Sequence, residues 1–331
     1  MTQVVSTTPG LFPLPDWAKD ELSDLKGHQK TDLISGDESA EVADAYDRAR
    51  REVLDVQTDA GLDRVVEGQL RWDDMIAHPL AVADSVDTRG IVRYYDNNNF
   101  YREPVVTGDL EATGDVAAEL DAAAEHVDSG LQAVLPGPYS LADLATDEHY
   151  GDEAAFLDAV AEFLADEARQ FPDVETLFLL EPSLVENAPG DGADERASEA
   201  IDRVANAVDA DVVAHTYWGA IEEKVYAHLM DADVDAIGFD LIADHEQTVY
   251  NVQEYGTKES VALGLVDGQN TLVETPETIR ERIDWFADQT AGDYDTVYAT
   301  ANTELFYLPV NKFEAKLSAL ADAAELEEVQ A

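Results

Sequence analysis

The chain has 331 residues, 72 acidic against 20 basic, for a formal net charge of −52 at pH 7. It has no cysteine, which excludes disulfides, thiolate metal sites and cysteine nucleophiles, and it has no basic patch of the kind that nucleic-acid binding requires. The 45% hydrophobic fraction suffices for an ordinary core, while no apolar stretch approaches the roughly 18 residues of a membrane span.

The N-terminal MTQVVSTTPGLFP lacks the basic segment and apolar run of a signal peptide, so a cytoplasmic location is expected. Acidic residues are interleaved with alanine and valine along the whole chain rather than gathered in a tail. That pattern suits a salt-rich, halophilic cytoplasm, where screening removes self-repulsion.

In chain order, β-branched or aromatic runs mark strands at 4–7, 62–68, 131–137, 176–182, 211–218, 234–241, 260–266 and 296–302. Between them lie helical patterns. In 40–58 the apolar positions are Val42, Ala45, Tyr46, Ala49, Val53 and Val56. In 152–169 they are Phe156, Val160, Phe163 and Leu164, and Phe313, Leu317 and Leu320 mark a last helix. This alternation predicts an α/β fold, a single (β/α)8 TIM barrel over 1–331. The long interval between the second and third strands predicts a helix-plus-hairpin insertion at about 68–130. It contains RYYDNNNFYREP (93–104), whose asparagines are turn residues between aromatic arms.

Barrel chemistry sits at the C-terminal strand ends. Those ends carry Glu67, Gln69 and Arg71, then PGPYS (136–140), Glu181, His215 to Trp218, Asp240, Asp267, Asn270, Asn302 and Glu304. Glu181, His215 and Asp240 are the candidate catalytic residues. They can serve acid–base work or hold a divalent cation, or they can be strand-end caps and a hydrogen-bonded core histidine. Cations are scarce, and eleven of the twenty lie in residues 1–102, including Lys19, Lys26, Lys30 and Arg93. They point either to anion contacts or to local ion pairs.

Taken together, STTPGLFP, DAGLDRVVEGQLRWDDM (59–75), YYDNNNFYREP (94–104), AVLPGPYSL (133–141), LFLLEPSL (177–184), HTYWG (215–219), GLVDGQN (264–270) and ATANTELFYLP (299–309) resemble the cobalamin-independent methionine synthase family. That family pairs two similar barrels, and the C-terminal one holds zinc. The resemblance implies a His-x-Cys zinc pair where this chain has His215 and Tyr217. It implies a glutamate ligand where Asp240 stands, and a second cysteine near Leu305. With both thiolates missing, the likeness is to the zinc-less N-terminal barrel, and no metal ligand is expected.

On that resemblance Arg93 and Lys19 bind the carboxylates of a folate polyglutamate tail. Asn97 and Asn99 fix the loop or the ligand, and Tyr94, Tyr95, Phe100 and Tyr101 anchor the loop or wall the site. Glu67, Tyr217 and Asn302 complete the expected substrate-binding set. The implied role is the folate-binding subunit of a split methionine synthase, not catalytic alone. Its substrate would be a 5-methyltetrahydrofolate polyglutamate, with zinc on a separate catalytic barrel. The alternatives are an independent methyltransferase or decarboxylase-like enzyme with a cysteine-free site, or a non-catalytic barrel that stabilises a partner. Neither nucleic acid nor membrane is an expected partner.

Overall fold

The structure, a computed structural model, describes residues 2–22, 38–72, 74, 76–95, 100–290 and 292–326. The strands are β1 (Gln3–Ser6), β2 (Val65–Val66), β3 (Val86–Arg93), β4 (Phe100–Val106), β5 (Leu131–Pro136), β6 (Thr146–Asp147), β7 (Thr176–Leu180), β8 (Asp211–His215), β9 (Ala236–Asp240), β10 (Ser260–Val266) and β11 (Thr296–Ala301). The helices are α1 (Asp16–Leu22), α2 (Ala40–Ala60), α3 (His78–Ala81), α4 (Asp115–Ala124), α5 (Pro138–Leu144), α6 (Glu153–Ala168), α7 (Ser183–Glu186), α8 (Ala193–Ala205), α9 (Glu223–Leu229), α10 (His245–Tyr255), α11 (Pro276–Thr290) and α12 (Val310–Glu325). Among the described residues no helix is long and apolar enough to cross a membrane.

Eight strands make one parallel sheet in the order β1-β11-β10-β9-β8-β7-β5-β2. Most are buried on both faces, as expected when helices cover a parallel sheet. The sheet curls until its two edge strands meet, giving a TIM-like barrel. At the seam Arg64 N–H donates to Ser6 O at 3.1 Å, and the Asp63 carboxylate accepts from the Ser6 amide and hydroxyl, both at 2.8 Å. Gln132 of β5 reaches past the short β2 to bond the Thr7 hydroxyl at 2.7 Å and Thr8 O at 2.8 Å.

The second strand is shorter than its apolar run, 62–68, suggests. Asp63 and Arg64 are committed to the seam, and the chain turns sharply at Gly68 (φ 99°) and Gln69 (φ 45°). Local caps explain the helix limits. Ser39 Oγ accepts from Val42 N and Gly61 in the left-handed region ends α2, while the Asp152 carboxylate caps α6. Between β2 and β5, β3 and β4 form an antiparallel hairpin, and β6 joins it to make a three-stranded sheet in the order β3-β4-β6.

Candidate functional site

The ends of β7, β8, β9 and β11 converge on one mouth. His215, the last residue of β8, turns its imidazole inward between Phe178 and Tyr217, with ring centroids 5.8 and 5.9 Å away. It is fully buried, and desolvation pulls its pKa down to about 4, so the ring is neutral. Its Nε2–H donates to Asn302 O at 2.9 Å, which leaves Nδ1 as an acceptor with no hydrogen-bond partner. Nδ1 faces Gly238, where a Cβ would lie 2.3 Å away.

Asp240 closes β9 and works as a turn organiser. Its carboxylate accepts from the amides of Trp218, Ile242 and Ala243, each at 2.9 Å, and from Asn302 Nδ2 at 3.1 Å. Burial raises its pKa against these donors. The same bonds hold Trp218 at φ 72°, a costly conformation for a bulky residue. Asn302 joins three strand ends, since its Oδ1 also accepts from Gly268 N at 2.9 Å. His215, Asp240 and Asn302 therefore form one hydrogen-bonded unit, as the strand-end rule placed them.

Glu181 follows β7 and caps α5. Its carboxylate accepts from Tyr139 N at 3.0 Å, Ser140 N at 2.8 Å and Ser140 Oγ at 2.7 Å. Burial outweighs these donors and pushes its pKa up to about 7. Ser140 Oγ also accepts from Ser183 N at 3.0 Å, tying α5 to α7. Ser140→Ala should raise the Glu181 pKa further, because a donor to the charged form is lost. It should cost about 1–3 kcal/mol by leaving buried groups unpaired. Urea unfolding, and the carboxyl resonance of Glu181 followed by NMR against pH, check both.

Tyr217 is buried with its ring edge-on to Trp218, centroids 4.9 Å apart. Burial first, then the carboxylates of Glu304, Glu181 and Asp74, raise its pKa well above the ordinary value, so the phenol stays protonated. Glu304 is the mouth residue that sequence reasoning left out of the site set. It is 2% exposed, and desolvation pushes its pKa up to about 8. Its carboxylate is met by its own backbone amide and by a long 3.4 Å bond from Gln269 to Oε1, and its Oε2 has no hydrogen-bond partner. Its position at the end of the eighth strand was visible; its missing partner was not.

Glu67 lies apart from this unit, in the field of Glu119 on α4 and Arg50 on α2. Burial and Glu119 raise its pKa to about 8 against the pull of Arg50. The hairpin is pinned to the mouth by its tyrosines. Tyr94 OH donates to Asp74 at 2.5 Å. The Tyr95 hydroxyl bonds Ser183 Oγ at 2.6 Å, and the Tyr95 ring stands edge-on to Trp218 at 5.4 Å. Tyr101 packs on Tyr94, but Phe100 is exposed on the outer side. Arg93 is exposed too, with its guanidinium 5.8 Å from the Phe100 ring centroid. Lys19 is half-exposed on α1 and pairs with Asp16 at 3.3 Å. Asn97, Asn99, Lys26 and Lys30 lie outside the described residues.

A parallel barrel with its polar side chains gathered at the C-terminal mouth defines the class of barrel proteins that bind or convert small molecules there. The family is defined by sequence: the model "Cobalamin-independent synthase, Catalytic domain" matches residues 7–325, and the chain belongs to the cobalamin-independent methionine synthase family. It is 23% identical over 285 residues to a methionine synthase of Saccharolobus solfataricus, covering 84% of this chain and 81% of that one. A methionine synthase of Thermoplasma volcanium is 22% identical over 278 residues, covering 81% and 73%. In fold it is similar to a B12-independent methionine synthase from Shewanella sp. W3-18-1 in complex with selenomethionine, with TM-score 0.77, 20% identity and 97% and 96% of the chains covered. A putative vitamin-B12 independent methionine synthase from Listeria monocytogenes gives TM-score 0.70 at 16% identity, covering 98% of each chain.

The zinc that the family resemblance implies does not fit these residues. Tyr217 stands where a thiolate is expected and keeps its proton. The Asp240 carboxylate is engaged by three backbone amides and Asn302, and His215 Nε2 is committed to Asn302. Among the described residues no group of three His, Asp or Glu side chains is placed to hold a metal ion.

Proposed function

We propose that this chain is the folate-binding subunit of a split cobalamin-independent methionine synthase. A separate zinc-bearing barrel would transfer the methyl group from a 5-methyltetrahydrofolate polyglutamate to homocysteine. The observation that carries this reading is the replacement of the family's His-x-Cys pair by His215 and a protonated, buried Tyr217 in a chain without cysteine. Homocysteine sulfur needs a metal or a base to become a thiolate at neutral pH, and this mouth offers no thiolate-zinc centre to supply it.

In this reading residues 1–331 form one closed (β/α)8 barrel, and 68–130 is an insertion at its mouth. Arg93 and Lys19 pair with carboxylates of the glutamate tail. Asn97 and Asn99 shape the loop, and Glu67, Tyr217 and Asn302 belong to the binding region. The acid-rich surface suits a salt-rich cytoplasm.

A second reading has two observations in its favour. The family model that matches residues 7–325 is described as the catalytic domain, and relatives of comparable span are named methionine synthases. On that reading this barrel transfers methyl groups alone, with the neutral His215 and the high-pKa Glu181 as acid–base groups beside Asp240.

Methyl transfer to homocysteine separates the two. The assay contains molar KCl, zinc and a polyglutamyl methylfolate, with this chain alone, the cysteine-bearing barrel alone, and both mixed. Activity confined to the mixture, or raised at least tenfold by mixing, is the expected result. Turnover by this chain alone would overturn the split reading and make His215, Glu181 and Asp240 the residues to replace first.

A further inference from the structure

A cavity of 610 Å³ opens beside the barrel mouth, between α5, the start of α6 and the loop that joins α7 to α8. Small-molecule sites are commonly of that size. None of His215, Asp240, Asn302 and Glu304 lines it. Its apolar wall is made by buried Phe156 and Leu157 and half-buried Tyr139. Four carboxylates share the lining, and they are not equivalent. Asp147 is spent on the backbone, accepting from the amides of His149, Tyr150 and Gly151 at 2.9, 2.8 and 2.7 Å. Asp152 caps α6. Asp143 commits only Oδ2, to Ser183 Oγ at 2.7 Å and Asn187 Nδ2 at 2.9 Å, and its Oδ1 takes no bond from a described residue. The exposed Glu153 carboxylate takes none either. These last two carboxylates flank the Tyr139 phenol, whose pKa is raised by burial first and then by Asp143, Glu181 and Glu153.

Arg196, in the first turn of α8, lines the same cavity. Arg50, Arg64, Arg71, Arg169 and Arg203 each reach a carboxylate. Arg196 makes no ion pair or hydrogen bond with a described residue, although the chain has 72 acidic residues and four of them share its cavity. The open volume thus holds charges of opposite sign apart. A purely cationic ligand would meet Arg196, and a polyanion such as a glutamate tail would meet Asp143 and Glu153. Each would bring like charges into contact. A zwitterion with an apolar side chain satisfies all three parts of the lining. Its carboxylate fits the guanidinium fork, its ammonium fits the spare carboxylate oxygens, and its side chain covers Tyr139, Phe156 and Leu157.

We propose that this cavity binds a free α-amino acid with an apolar side chain, held by Arg196 at its carboxylate and by Asp143 and Glu153 at its ammonium. The site is separate from the folate-binding role and does not depend on which barrel transfers the methyl group. Its wall is continuous with the mouth. Tyr139 N donates to Glu181 at 3.0 Å, and Ser183 Oγ, which donates to Asp143, accepts from the Tyr95 hydroxyl of the hairpin at 2.6 Å. An occupant therefore touches the two side chains, Tyr139 and Asp143, through which the cavity is tied to the mouth.

The test is a titration of the full chain with L-methionine in molar KCl, followed by ligand-observed NMR. Two further probes each lack one charge: methioninamide has no carboxylate, and N-acetylmethionine has no ammonium. The variants are Arg196→Gln, Glu153→Gln and Ala193→Leu, the last of which puts a larger side chain into the cavity lining. All three positions lie in the first turn of a helix, and matched circular dichroism and melting verify the fold. L-methionine should bind the wild type, and both altered probes should bind about tenfold or more weakly, the worth of one charged hydrogen bond. Arg196→Gln should weaken L-methionine by a similar factor and erase its advantage over methioninamide. Glu153→Gln should shrink its advantage over N-acetylmethionine. Ala193→Leu should weaken every probe, and Arg169→Gln, on the distant end of α6, should weaken none.

Absence of L-methionine binding to the wild type would overturn the site. Binding that ignores both Arg196→Gln and Ala193→Leu would place the amino acid elsewhere on the chain and overturn it as well. Methioninamide or spermidine binding as tightly as L-methionine would show that the carboxylates alone make the seat, and would overturn the zwitterion. Each of these outcomes leaves the split-enzyme reading standing, because the methyl-transfer assay tests that reading separately.

Discussion

Replacing Gly238 with alanine should cost about 2–4 kcal/mol of stability, a combination of overpacking and a lost buried hydrogen bond. Gly238 sits on β9 beside His215, and the added Cβ would meet His215 Nδ1 at 2.3 Å and His215 Cα at 2.9 Å. The second contact is with backbone, so swinging the ring aside relieves only part of the clash. The imidazole has nowhere to go without releasing Asn302 O, and Asn302 also binds Asp240 and Gly268. The disturbance therefore spreads to the whole mouth. Gly190→Ala is the control, because a Cβ there meets nothing within 4 Å. Denaturant unfolding of both variants is the first measurement. A double-mutant cycle with His215→Ala is the second: the cost of Gly238→Ala should fall by at least 1 kcal/mol once the ring is gone. A cost below about 0.5 kcal/mol in the wild-type background would mean the packing at His215 is loose.

The fold could be read from the sequence where one physical signal dominated. Runs such as TLFLL and VALGLV are apolar on both strand faces, which only a covered parallel sheet tolerates. The 3.6-residue spacing of Phe156, Val160, Phe163 and Leu164 marks α6 to within a residue at either end. The second strand was overestimated because β-branched residues do not disclose that Asp63 and Arg64 bond across the seam. Short helices such as α5 and α7 carry no sequence signal because one or two turns are too few to show periodicity, and α5 is held by a cap, Glu181.

For the site, the rule of strand ends located His215, Asp240 and Asn302, which do meet. It could not assign their work. Asp240 looks like a catalytic carboxylate in sequence, and in space it organises a turn around Trp218. Glu67 occupies an equivalent strand end but belongs to the electrostatic field of Arg50 and Glu119. Glu304 differs from an ordinary terminal carboxylate only in what it lacks, a partner for Oε2, and an absent bond leaves no mark in a sequence.

That missing partner yields the other large effect: Glu304→Gln should stabilise the protein in a strongly pH-dependent way. In the folded chain burial holds the Glu304 pKa at about 8, against an ordinary 4.5. Between those values the folded state keeps a proton that the unfolded chain has released. The stability tied to this group is therefore complete below about pH 4.5 and is lost as pH rises towards 8.

Glutamine is neutral throughout and keeps nearly the same shape, so it avoids the loss. The variant and wild type should match within about 0.5 kcal/mol near pH 5, with the variant gaining a few kcal/mol near pH 8.5, at about 1.4 kcal/mol per pKa unit. Glu67 and Glu181 push in the same direction, with pKa values of about 8 and 7. His215 pushes the opposite way: its pKa of about 4 withdraws stability as pH falls below 6.5. These groups are common to both chains, so the difference between the two unfolding curves isolates Glu304. Chemical unfolding at both pH values, in one fixed KCl concentration, is the measurement. Equal stability of the two chains at alkaline pH would show that Glu304 finds a partner or water in solution. It would also remove the case for an uncharged carboxyl at the mouth.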